Sequence, residues 1–117
     1  MSNFDMSISD NEVPYGTLDL LILRTLQTMG ALHGYGLARR IEQVSASTLR
    51  LSQGSIYPAL VRLEKQGAIG TDWGTSETGR KVKVFSLTDS GRAQLERELR
   101  NWQSAKALVA RFLEAES

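Results

Sequence analysis

The chain has 117 residues, 41% apolar and 23% charged, which suits one globular domain and excludes a disordered or collagenous chain. It has no cysteine and one histidine, His33, so a disulfide scaffold, a thiolate metal site and a cysteine nucleophile are excluded, and a histidine-based zinc site or triad is not expected. The net charge of +1 names no partner, but its distribution is uneven: residues 1–33 carry −3, residues 34–66 carry +3, residues 67–87 carry +1, and residues 88–117 balance, a basic middle compatible with nucleic acid.

Residues 1–13 are polar, acidic and without period, and read as a loose tail ending at Pro14. The opening Met-Ser-Asn-Phe-Asp carries no basic or apolar stretch, so no signal peptide is expected and the cytoplasm is the default compartment. The longest aliphatic run, Leu20–Leu23, is closed by Arg24, far short of the ~20 apolar residues that span a membrane. Leu18, Leu21, Ile22, Leu26 and Met29 then fall at helical spacing, with Thr17 as the expected N-cap and Gly30 as the stop. Leu20 and Leu23 lie off that stripe, so this first helix needs cover from more than one side.

His33-Gly34-Tyr35-Gly36 reads as a turn, with His33 as a turn residue. A second helix runs to about Val44, turning Leu37, Ala38, Ile41 and Val44 inward and Arg39 and Arg40 outward, and Ser45-Ala46-Ser47 breaks it. A third helix starts at a Ser52 N-cap and runs to Gln66, with Gly67 as its stop and Ile56, Ala59, Leu60 and Leu63 as its buried stripe. Counting ~100° per residue from Ile56 puts Gly54, Pro58, Val61 and Lys65 on the opposite face, with Tyr57 and Arg62 on the flanks. Pro58 removes the bond to the Gly54 carbonyl, a small cost near a helix start.

The period then changes to two. Ile69, Thr71 and Trp73 make one strand and Val82, Val84, Phe85 and Leu87 a second, joined by the turn-rich Gly74–Arg80. This is a hairpin with a mobile tip, Trp73 packing at its base, and Lys81 and Lys83 on one face beside Arg80. Thr88 caps a last helix to about Glu116. Leu95, Leu99, Trp102, Val109 and Leu113 form a heptad seam along it, with Lys106 in the polar slot and Leu108 and Phe112 on a second line. A helix of roughly 40 Å outruns a core of three short helices and calls for a partner chain.

The expected fold is mainly α (α+β): a winged helix-turn-helix over residues 14–87 with a C-terminal dimerisation helix over residues 88–117. The third helix opens on small polar residues that do not obstruct entry to a major groove. Ser52, Gln53, Ser55, Tyr57 and Arg62 are therefore the expected DNA contacts of that helix, Gln53 pairing with adenine. Tyr35 and Arg39 are expected beside them, and Arg80, Lys81 and Lys83 on phosphates. No catalytic, metal or cofactor site is expected; Ser55 has neither a nucleophile frame nor a second histidine. A winged helix that binds only protein, and a dimer that carries a small molecule without binding DNA, share the same pattern.

The segments Gly16-Thr-Leu-Asp-Leu-Leu-Ile-Leu-Arg24, His33-Gly-Tyr-Gly-Leu-Ala-Arg39, Gln53-Gly-Ser-Ile-Tyr-Pro-Ala-Leu-Val-Arg-Leu-Glu64, Trp73-Gly and Phe85-Ser-Leu-Thr88 with Gly91 together resemble the PadR family of bacterial transcriptional regulators. Trp73-Gly-Thr-Ser-Glu77 with Arg80-Lys81 resembles its acidobacterial subgroup. The resemblance implies a homodimeric repressor on an inverted-repeat promoter site, with the last helix paired to the partner's first. It places Leu20, Leu23, Leu95, Leu99, Trp102, Val109 and Leu113 in the dimer interface. It also implies a possible aromatic effector, because Trp102 falls where one branch of the family stacks a flat ligand.

Overall fold

The computed structural model describes residues 16–46, 49, 51 and 53–115, with the Gln53 side chain outside the described set. The expected tail, the Ser52 cap, Ser47 and the last residue of the expected C-terminal helix, Glu116, lie outside the described residues. The elements are α1 (Thr17–Met29), β1 (Leu32–His33), α2 (Gly34–Val44), α3 (Gln53–Lys65), β2 (Ile69–Thr75), β3 (Lys81–Leu87) and α4 (Asp89–Ala115). The three strands form one antiparallel sheet in the order β1-β3-β2. Among the described residues no helix is long and apolar enough to cross a membrane.

The core follows the helical periods. Ile22, Leu23 and Leu26 of α1, Leu37, Ala38 and Ile41 of α2, and Ile56, Ala59, Leu60 and Leu63 of α3 are all buried. Ile69 and Phe85 close it from the sheet and Leu95 from α4. Three local expectations change. Thr17 is the first helical residue rather than the cap; Gly16 holds the cap position at φ +88°, a left-handed conformation in which glycine is unstrained. Val44, the last residue of α2, is exposed rather than inward. The expected turn at His33 is a two-residue strand, Leu32 and His33 pairing with Phe85 and Val84, that runs directly into α2. His33 Nδ1 caps that helix by accepting the Gly36 N–H at 2.9 Å.

The two expected strands pair as a hairpin, from Ile69 opposite Leu87 to Thr75 opposite Lys81. Its tip is a hydrogen-bonded turn. Ser76 N–H donates to the Arg80 carbonyl at 2.8 Å, Gly79 N–H to the Ser76 carbonyl at 2.9 Å, and Arg80 N–H to Ser76 Oγ at 3.1 Å. Thr88 caps α4 as expected: its Oγ1 accepts the Gly91 N–H at 2.9 Å and donates to the backbone carbonyls of Gly67 and Ala68.

Candidate nucleic-acid interface

The N-terminal ends of α2 and α3 open toward the hairpin, and two clefts run between them. One is lined by His33, Gly34, Tyr35, Ile56, Tyr57, Val82, Lys83 and Phe85. The other continues from Tyr35 past Arg39, Arg40 and Gln43 to the hairpin tip at Ser76–Thr78 and Arg80. They share His33, Tyr35 and Val82, so they form one surface. That surface brings together Tyr35, Arg39, Tyr57, Arg80 and Lys83, five of the residues singled out from the sequence. Its cations outnumber its one carboxylate, Glu77.

Arg39 and Tyr35 sit one turn apart on α2. Arg39 Nη1 donates to Tyr35 Oη at 3.4 Å, and the guanidinium lies 5.9 Å from the ring centroid. That hydrogen bond raises the Arg39 pKa above its ordinary value. The His33 ring also stacks on Tyr35, its centroid 6.3 Å away and its plane tilted 18°. Tyr35 thus touches both the capping histidine and a cation.

The remaining expected contacts divide. Ser52 and the Gln53 side chain lie outside the described residues; Gln53 is the first residue of α3. Ser55 is half-buried. Arg62 has a partner within the fold: its Nη2 is paired with Asp19 Oδ1 of α1, so it ties α3 to α1. The angular count that put Arg62 on a flank could not show a partner 43 positions away. Arg62→Ala should therefore lower thermal stability, by about 2 kcal/mol for a charged hydrogen bond lost, before it alters any binding. A thermal melt of the variant checks this. Lys83 lies 3.9 Å from Glu64, which also accepts from Thr71 Oγ1 at 3.0 Å, so its charge is partly answered within the fold.

Trp73 is the residue that sequence reasoning misplaced. It is 62% exposed, beyond the edge of the core, and the Lys81 ammonium sits 5.1 Å from its ring centroid. Alternation gave its face correctly, the face of Ile69, Phe85 and Leu87, but not that the hairpin outruns the core.

The expected dimer face also divides. Leu23 and Leu95 are 0% exposed within the protomer's own core, so they offer nothing to a partner. Leu20 and Leu99 are half-buried against that core. Trp102, Leu108, Val109, Phe112 and Leu113 are exposed. Among the described residues no group of three or more His, Cys, Asp or Glu could hold a metal ion.

A family model of the transcriptional regulator PadR-like family matches residues 22–97. A PadR-like transcriptional regulator from Bacillus cereus is 31% identical with a TM-score of 0.72, the match covering 84% of this chain and 92% of the other. A PadR family transcription regulator from Clostridium difficile is 29% identical with a TM-score of 0.73, covering 84% and 99%. A Lysinibacillus sphaericus protein is 26% identical over 104 residues, 89% of this chain and 94% of its own length. With the sheet and helices arranged as a winged helix, the chain belongs to the PadR-like family of transcriptional regulators, a family of DNA-binding proteins and not of enzymes.

Proposed function

We propose that the chain is a dimeric repressor that binds an inverted-repeat promoter site through residues 14–87 and dimerises through residues 88–117. One observation carries this: Tyr35, Arg39, Tyr57, Arg80 and Lys83 arrive from α2, α3 and β3 and its turn at one continuous cationic surface. On this reading α3 enters the major groove, with Gln53 and Tyr57 at the base edges. Arg39, Arg80 and Lys81 take phosphates on either side.

Titrations on a selected duplex and a scrambled one, each at several salt concentrations, test it. Gln53→Ala should cost about 1–3 kcal/mol on the selected duplex alone. Arg80→Ala should weaken both duplexes and reduce the salt slope by about one. Lys83→Ala should change the slope less than Arg80→Ala, because Glu64 already answers part of its charge. Salt-independent binding to both duplexes would defeat the reading.

We also propose that a flat aromatic effector releases the DNA from a site at Trp102. Trp102 is exposed on α4, and Lys106, one turn on, favours an anionic or phenolic substituent. Fluorescence quenching by flat aromatics should persist in Trp73→Phe and vanish in Trp102→Phe. Quenching unchanged in Trp102→Phe would leave that tryptophan a packing residue.

A further inference from the structure

The outer face of α3 carries a feature that the phosphate and Gln53 contacts do not use. Gly54, Pro58, Val61 and Lys65 follow one another along it, opposite the buried stripe, with Tyr57 on the flank. They line a shallow, mostly apolar depression with Arg62 and Gln66 at its side. Tyr57 is 49% and Val61 38% exposed. The lining contains no carboxylate, and its cations lie at the end away from Gly54.

An apolar row on a helix of this family faces a particular problem. Val61 has no polar side-chain atom, and Pro58 has no backbone N–H, so neither donates a hydrogen bond to a base edge. The one apolar group a major groove presents is the C5 methyl of thymine. A helix about 10–12 Å across fits a major groove roughly 12 Å wide, and Gly54 and Val61 lie about two turns apart on one face of it. The absence of Cβ at Gly54 lets the row come close at its leading end, and the missing carboxylates suit a polyanion. A protein partner would suit the carbons equally but gives no reason for the continuity with the cationic clefts through Tyr57, which borders both.

We propose that Val61, flanked by Pro58, reads a thymine methyl group in each half-site and so sets part of the sequence preference. This rests on the DNA-binding reading above and adds a specificity-determining residue to it.

The test uses the full chain and the duplex it selects from a random pool. Each thymine is replaced singly by deoxyuridine, which pairs identically and lacks only the methyl. At one position per half-site the wild-type chain should bind about fourfold more weakly, the worth of one buried methyl. Val61→Ala, which changes both protomers, should bind the thymine duplex more weakly by about the square of that factor, roughly fifteenfold, and should be indifferent to deoxyuridine at that position. Circular dichroism should show the variant folded, since Val61 points away from the core. The proposal is overturned if no deoxyuridine weakens the wild type, if the deoxyuridine penalty is undiminished in Val61→Ala, or if Val61→Ala binds the thymine duplex as the wild type does; the last would hand this face to a protein partner. A pool from which the wild-type chain selects no sequence at all would overturn the DNA-binding reading itself, a result distinct from these.

Discussion

Replacing Gly91 with alanine is expected to unfold the chain, or to lower its melting temperature further than any exposed substitution does. A Cβ at this position would stand 2.0 Å from the Ala68 carbonyl oxygen, 2.9 Å from its carbon and 2.9 Å from Leu87 Cδ1. The first of these is a collision with backbone, which cannot rotate away as a side chain does. Nor is the carbonyl at liberty to shift. It accepts the Thr88 N–H at 3.1 Å and the Thr88 hydroxyl at 3.0 Å, and Ala68 itself is fully buried. Gly91 N–H donates to the same hydroxyl. The end of α3, the base of the hairpin and the start of α4 therefore meet at one hydrogen-bonded joint, and an added methyl pries it open. Overpacking costs about 1–3 kcal/mol in an ordinary core. Losing the Thr88 cap adds about 1 kcal/mol. Several degrees of melting temperature accompany each kcal/mol in a domain of this size. Thr88→Ala, which removes the cap without the collision, should fall between the wild type and Gly91→Ala. If Gly91→Ala melts with or above Thr88→Ala, the joint relaxes and the argument fails.

Gly91 also shows what local reading could and could not reach. A glycine three positions past a capping threonine offers no sequence reason of its own; its reason is the Ala68 carbonyl, 23 residues earlier in the chain. By contrast, the helical core was legible because burial repeats at 3.6 residues, and Ile56, Ala59, Leu60 and Leu63 fall inward as counted. The two strands of the hairpin were legible from alternation on either side of a turn-rich segment, without their register. The strand β1 was not. Two residues carry no period, and Leu32 and His33 become strand only because Phe85 and Val84 pair with them from more than 50 positions away. The heptad count on α4 located the apolar row, but counting cannot tell which turns the protomer covers itself. Leu95 is covered and Val109 is not, because the core ends along the helix before its C-terminal half. The Tyr35–Arg39 contact needed only i,i+4 spacing, yet its place beside Arg80 required the hairpin to fold back over α2.

For the dimer proposed above, Val109→Asp is expected to give a folded monomer. The helix α4 has 27 residues, about 40 Å of rise. Its first turns are fixed to the core by Leu95 and Leu99. Beyond them Trp102, Leu108, Val109, Phe112 and Leu113 present carbon to water, with Val109 55% exposed in the isolated protomer. A large apolar side chain gains about 1.5–3 kcal/mol when fully buried, and a two-fold axis counts each contact twice. An aspartate at 109 would bring an unpaired charge to the same seam from each protomer, at a cost of several kcal/mol per ion. The choice of residue matters. Leu99→Asp would injure the protomer core as well as the seam, so loss of dimer and loss of fold would coincide. Val109 is outside that core, so circular dichroism should retain most of the helix while sedimentation reports 12.9 kDa instead of twice that mass. Affinity for an inverted repeat should drop sharply, because the two half-sites are no longer bound by one particle, while contacts to a single half-site persist. A Val109→Asp chain that still sediments as a dimer would place the interface elsewhere on the molecule, and a wild-type chain that sediments as a monomer would remove it altogether.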